Sequence, residues 1–171
     1  MNAAARILLD CGAVNIRPAD PFTLTSGKKS PVYVDCRRLI AFPRARAALM
    51  QMLADKMVSA CGYEAFDAVA GGETAGIPYA AWLADKWSLP MLYVRKKPKG
   101  FGRMAQIEGV FPEGARVLLV EDMATDGGSK VVFVKALREA GALTSQCAVI
   151  FHYGIFPHEQ SELAALGVHL H

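Results

Sequence analysis

The chain has 171 residues, of which 53% are hydrophobic and 20% charged, and its formal net charge is +3. That length suits one domain with a substantial core and is short for two. The composition excludes a disordered chain, and the small net charge excludes a general polyanion binder, so no nucleic acid is expected as a partner. AAARILLDCGAV is a short helix candidate, and FTLTSGKKSPVYVDCRRLI (22–40) reads as extended chain around the turn residues SGKKSP. PRARAALMQMLADKMVSACG opens with Pro43 at a first helical position and closes on Gly62, a good C-terminal stop. Then strand and helix alternate: strand 66–72, helix 77–87, strand 90–96, a polar loop to about 109, strand 115–122, helix 129–142, strand 145–153 and a short helix 159–167 before the terminal VHLH. Near-continuous apolar strands separated by helices imply a parallel sheet covered on both faces, with ligands outside the C-terminal strand ends. Those ends carry AGGETAG, RKKPKG and EDMATDGGS.

The four cysteines, Cys11, Cys36, Cys61 and Cys147, are scattered, with no CxxC pair and no metal-ligand spacing. That is the usage of a reducing compartment. MNAAARILLDCGAV lacks the pattern of a secretory leader. No apolar run nears the roughly 20 residues that cross a bilayer. A cytoplasmic location without a membrane partner is therefore expected. The histidines at 152, 158, 169 and 171 and the acids Asp67 and Asp85 show no spacing or partner that suggests chemistry.

In VEDMATDGGSK the strand is expected to end at Glu121 and Asp122, and Thr125–Ser129 then lead into a helix. Gly127 and Gly128 let backbone N–H groups approach a ligand, Thr125 and Ser129 add hydroxyls, and the helix start favours an anion. The stretch reads as a phosphate cradle, or as a tight turn with solvated acids. It lacks the spacing of a Walker loop or of GxGxxG. Ionised carboxylates beside a phosphate site suit a ligand that also offers sugar hydroxyls. RKKPKGFGR (95–103) fits either a nucleic-acid or targeting patch or, after a strand and with two glycines, a mobile catalytic lid.

FTLTSGKKSPVYVDCRRL, AGGETAGIP, YVRKKPKGFGRMAQIEG and VLLVEDMATDGGS together resemble the orotate phosphoribosyltransferases of the type I phosphoribosyltransferase family, in order and spacing, over most of residues 22–153. The resemblance implies an α/β fold with a central parallel sheet flanked by helices. One phosphoribosyltransferase domain would span 1–171, with a small N-terminal hood over approximately 1–40 that covers the base. It implies transfer of ribose 5-phosphate from phosphoribosyl pyrophosphate (PRPP) to orotate, giving orotidine 5′-phosphate and pyrophosphate in pyrimidine (UMP) biosynthesis. Mg²⁺ is the implied cofactor, carried by substrate oxygens and water with no protein metal cage. A homodimer with shared active sites is implied as well. A phosphoribosyltransferase for another base, or a PRPP-sensing regulator on the same fold, stays open.

By position in the family motifs, Glu121 and Asp122 would hold the ribose hydroxyls. Met123, Ala124, Thr125, Asp126, Gly127, Gly128 and Ser129 would form the PRPP loop. Glu73 and Thr74 belong to the pyrophosphate loop, where the family carries a non-proline cis peptide. Arg95, Lys96 and Lys99 would stabilise the leaving pyrophosphate, with Lys99 reaching the neighbouring subunit's site; Lys99, Arg95 and Asp122 are the catalytic candidates. Orotate would meet Thr125, Tyr33 and a cation for its carboxylate, with Lys29 and Arg37 as candidates or else solvated surface charges. The chain departs from the family at Phe101, where many members have a histidine, and at Asp126, where Thr or Ala is usual. Thr25 and Ala75 replace lysines of one branch, and FHYGIF (151–156) lacks that branch's arginine.

Overall fold

The structure is a computed structural model that describes residues 2–24, 27–100, 102, 104–125, 128–155 and 161–171. The chain divides into two compact units, Met1–Met52 and Leu53–His171. In the first, α1 (Ala3–Asp10) starts at Asn2, whose side chain accepts the Ala4 N–H at 2.9 Å and so satisfies one orphan donor. Two small antiparallel pairs follow: β1 (Val14–Ile16) with β4 (Val32–Val34), and β2 (Phe22–Thr23) with β3 (Lys29–Ser30). Leu8, Ala13, Val34, Cys36 and Leu39 are buried. Residues Cys36–Ala41 form a 3₁₀ turn, where extended chain was expected, because the Asp35 side chain accepts the Arg37 N–H and caps it. The helix α2 (Pro43–Cys61) begins at Pro43 as expected, and Gly62 follows it with φ +92°, a left-handed stop that glycine adopts without a Cβ clash.

The second unit is built on a six-stranded sheet in the order β10-β9-β8-β5-β6-β7. Its strands are β5 (Ala68–Gly72), β6 (Met91–Val94), β7 (Ile107–Glu108), β8 (Val117–Ala124), β9 (Gln146–His152) and β10 (His169–Leu170). The expected parallel, helix-flanked sheet is present, with one antiparallel edge: β7 returns beside β6 and makes the root of the 95–106 loop a hairpin. The terminal VHLH adds β10, parallel to β9, which the sequence pattern does not reveal.

Three helices connect the strands: α3 (Gly76–Trp87), α4 (Gly128–Glu139) and α5 (Glu162–Ala165). From the central pair β5 and β8 the chain leaves in opposite directions, through α3 to β6 and through α4 to β9. That is a topological switch point, where the C-terminal strand ends open a crevice. On one face Ala68, Ala70, Leu92, Val117 and Leu119 pack with Val131, Phe133, Val134 and Leu137 of α4. Tyr79, Ala80 and Leu83 of α3 are also fully buried. At the opposite strand ends Arg116 grips both oxygens of Asp67, at 2.7 and 2.9 Å, and accepts the Asp67 N–H through its carbonyl. The Asp67 carboxyl is held down to about 2 by these hydrogen bonds. Its role is to tie β5 to β8.

Candidate functional site

The acids sit where the switch point predicts, but the strand does not stop at them. β8 continues to Ala124, with Met123 opposite Phe151 and Ala124 opposite His152, because β9 is long enough to pair it further. Continued strand geometry has a consequence for the two carboxylates. Side chains alternate along a strand, so Glu121 and Asp122 leave opposite faces of the sheet.

Glu121 follows Val117 and Leu119 onto the α4 face and is 6% exposed. Its Oε2 lies 3.5 Å from the ammonium of Lys130, itself buried, while Oε1 is wedged against Gly72 and Gly76. Burial pushes the Glu121 carboxyl up to about 7; the charge of Asp122 adds to the rise and Lys130 opposes it. Asp122 is 7% exposed, and its Oδ1 accepts the Met123 N–H at 2.9 Å. Of the two readings of this stretch, the tight turn with solvated acids does not hold: each acid is enclosed at the crevice floor.

Past the acids, Thr125 is half-buried, and Gly128 and Ser129 are exposed as the first residues of α4. They present an open helix start toward the strand ends, suited to an anion. Asp126 and Gly127 lie outside the described residues, as do Thr25, Phe101 and His158.

The β5 end explains its glycines. A Cβ on Gly71 would meet the Gly76 carbonyl at 2.5 Å, and one on Gly72 would collide with Glu121 and Phe133. Glycine is required there by close approach of α3 at Gly71 and of the Glu121 and Phe133 side chains at Gly72, not merely to end a strand. The Glu73–Thr74 peptide is cis, at the loop where the family resemblance places one. Glu73 Oε2 accepts the Lys96 N–H at 2.8 Å, which ties this loop to the root of the 95–106 loop. The Arg95 N–H donates to the Gln106 carbonyl and the Lys99 N–H to the Ala105 carbonyl, so the loop is laddered across its base. Lys96, Lys97 and Lys99 are exposed, whereas Arg95 is half-buried and reaches Glu108 at 3.5 Å. Between the loop and Ala136 and Glu139 of α4 lies a cavity of about 250 Å³.

Of the base-side candidates, Lys29, Tyr33 and Arg37 belong to the first unit and Thr125 to the second. Lys29 Nζ donates to Thr23 Oγ1 at 2.7 Å, the Tyr33 carbonyl accepts from Asn15 at 3.4 Å, and Arg37 is exposed. His171, expected to be idle, meets Gln146 at 2.7 Å, and burial lowers its pKa.

Lys130 is the residue that the sequence reading passed over. Positions 130, 134 and 137 share a helix stripe, and Val134 and Leu137 are core residues, so the spacing placed the lysine on the buried side. Among the described residues no three His, Cys, Asp or Glu side chains group closely enough to hold a metal ion. None of the described helices is long and apolar enough to cross a membrane.

No family model matches the chain. It is 60% identical over 167 residues to the orotate phosphoribosyltransferase of Cereibacter sphaeroides strain ATCC 17025, covering 98% of this chain and 72% of that one. It is 58% identical over 168 residues to the orotate phosphoribosyltransferase of Ruegeria sp. strain TM1040, covering 98% and 74%. Among solved structures, orotate phosphoribosyltransferase from Aeropyrum pernix superposes with a TM-score of 0.82 at 36% identity, over 97% of this chain and 89% of that one. With a switch-point crevice floored by two acids, and with this identity over nearly its whole length, the chain belongs to the orotate phosphoribosyltransferase family, on the type I phosphoribosyltransferase fold.

Proposed function

We infer that the protein transfers the ribose 5-phosphate of PRPP to orotate, forming orotidine 5′-phosphate and pyrophosphate in pyrimidine biosynthesis. The observation that carries this reading is the enclosed acid pair at the end of β8, followed directly by the open start of α4. A sugar whose hydroxyls meet Glu121 and Asp122 places its 5′-phosphate at Thr125–Ser129.

As the C1–pyrophosphate bond breaks, positive charge develops on the ribose and negative charge on the leaving group. The acids stabilise the first, and Arg95, Lys96 and Lys99 the second. The orotate nitrogen then bonds to C1, and its proton passes to water or to the departing pyrophosphate. Residues 97–106 exclude water while the sugar is reactive. Lys29, Tyr33, Arg37 and Thr125 are the proposed base contacts, and Glu73 and Thr74 the pyrophosphate-loop contacts.

Among the described residues no group of side chains fits a protein-built Mg²⁺ cage. Mg²⁺ is therefore proposed to arrive on PRPP, and no step is assigned to it. A cytoplasmic homodimer with shared sites, the reading of one domain with a hood over about 1–40, and the absence of nucleic-acid and membrane partners complete the proposal.

The test is PRPP consumption with orotate, uracil, adenine and hypoxanthine, each with Mg²⁺ and with chelator. Turnover with orotate, lost on chelation, is expected. Turnover with another base while orotate stays inert would overturn the assignment.

A further inference from the structure

Beneath the proposed ribose site lies a buried ion pair. The Lys130 side chain is 6% exposed, its Nζ lies 3.5 Å from Glu121 Oε2, and it also donates to Ser129 Oγ at 3.3 Å. Glu121 faces Lys130 and Phe133 from α4, Gly72 from β5, Gly76 at the start of α3, Cys147 from β9, and Asp122 on its own strand. Lys130 is the cation among these neighbours. Gly72 and Gly76 leave the carboxyl no room to turn, because its Oε1 already fills the space a Cβ would take at either.

Two charges removed from water hold a fold together less well than apolar side chains of the same volume. A pair in this layer therefore calls for a role other than stability. Lys130 touches both halves of the proposed PRPP site, the acid on β8 and the hydroxyl that opens α4.

We propose that Lys130 is a positioning residue for the reaction: its ion pair holds the Glu121 carboxylate under the ribose, and its bond to Ser129 sets the first turn of α4, where the 5′-phosphate binds. The inference rests on the reaction assigned above and adds to it a residue that does not touch substrate. Without the ammonium, Glu121 stands alone in an apolar layer beside the charge of Asp122. It then takes up a proton at higher pH and no longer offers the ribose two acceptor oxygens.

The test compares wild type with Lys130→Met, Lys130→Arg and Glu121→Gln. Two readouts are used: kcat/KM for PRPP across mildly acid to mildly alkaline pH, and the infrared carbonyl band of the protonated Glu121 carboxyl, assigned by its loss in Glu121→Gln. Lys130→Met is expected to move the acid limb of kcat/KM upward by about one pH unit or more, a tenfold loss at fixed acid pH. The infrared midpoint should move with it, and Lys130→Arg should keep both near their wild-type positions. A folded Lys130→Met enzyme with the wild-type limb and infrared midpoint would overturn the proposal.

If Lys130→Met does not fold, Lys130→Met joined to Glu121→Gln leaves no charge unpaired. Recovery of a cooperative melt in the double variant supports the pair, and failure to recover overturns it. Absence of turnover by wild type with any base would count against the assigned reaction, while the infrared titration would still decide whether Lys130 governs Glu121.

Discussion

Asp122 and Glu121 are neighbours in sequence with different surroundings, and their substitutions should separate accordingly. Asp122→Asn keeps shape and hydrogen-bonding atoms while removing charge beside the ribose, so turnover should fall about 100-fold with an unchanged thermal melt. Near-normal turnover of the pure variant would remove Asp122 from the ribose site. Glu121 supports a stability prediction instead. Burial raises its folded pKa from 4.5 to about 7, so the folded state binds the extra proton between those values. The stability this contributes is fully present below about 4.5 and is lost as pH rises to about 7, amounting to about 3 kcal/mol. Relative to Glu121→Gln, which cannot titrate, wild type should lose that amount across the window in urea denaturation. A difference independent of pH would contradict the burial argument. Gly71 gives a purely steric case. A methyl group there meets the backbone carbonyl of Gly76 at 2.5 Å, and backbone cannot rotate away as a side chain can. Gly71→Ala should therefore cost about 1–3 kcal/mol, and a wild-type denaturation midpoint would show that α3 moves aside freely.

The element with most to reveal is the segment between β6 and β7. Its root is fixed by strand pairing of Tyr93 with Glu108 and Val94 with Ile107, and by the Glu73–Lys96 hydrogen bond. Beyond the root the chain carries Lys97, Pro98, Lys99 and Gly100, all exposed, so few apolar contacts hold it. Protease should cut within 97–106 in the free enzyme and be slowed by PRPP or product with Mg²⁺. Equal cleavage with and without ligand would argue against a lid. Glu73→Ala should speed cleavage of the free enzyme by freeing the Lys96 N–H. The hairpin root also limits where the loop can go. It joins β6 to the antiparallel edge strand β7.

At the scale of the whole molecule the expectation is a homodimer in which Lys99 serves the partner's site. Lys99→Ala and Asp122→Asn enzymes, each nearly inactive, can be unfolded and reassembled together. If sites are shared, each hybrid holds one doubly defective and one intact site, and random assortment restores roughly a quarter of normal activity. If Lys99 serves its own site, no activity returns. A mixture as inactive as its parents, with subunit exchange verified, would refute sharing.

Much of this was legible in the linear sequence because it rests on local rules. Apolar strand runs, Pro43 and Gly62 as helix punctuation, and a Gly-rich turn after two acids depend only on neighbours along the chain, and they marked the sheet, α2 and the crevice edge. Other features needed the fold. The two residues by which β8 outruns its acids depend on the length of β9, and β10 exists because β9 offers it an edge. The Asp67–Arg116 tie joins residues 49 apart, and Lys130 meets Glu121 only because α4 lies against β8. Sequence determined which charges the chain carries and which backbone each one rides on. Tertiary structure decided which of them lose their water, and that loss separates the two adjacent carboxylates from solvated acids.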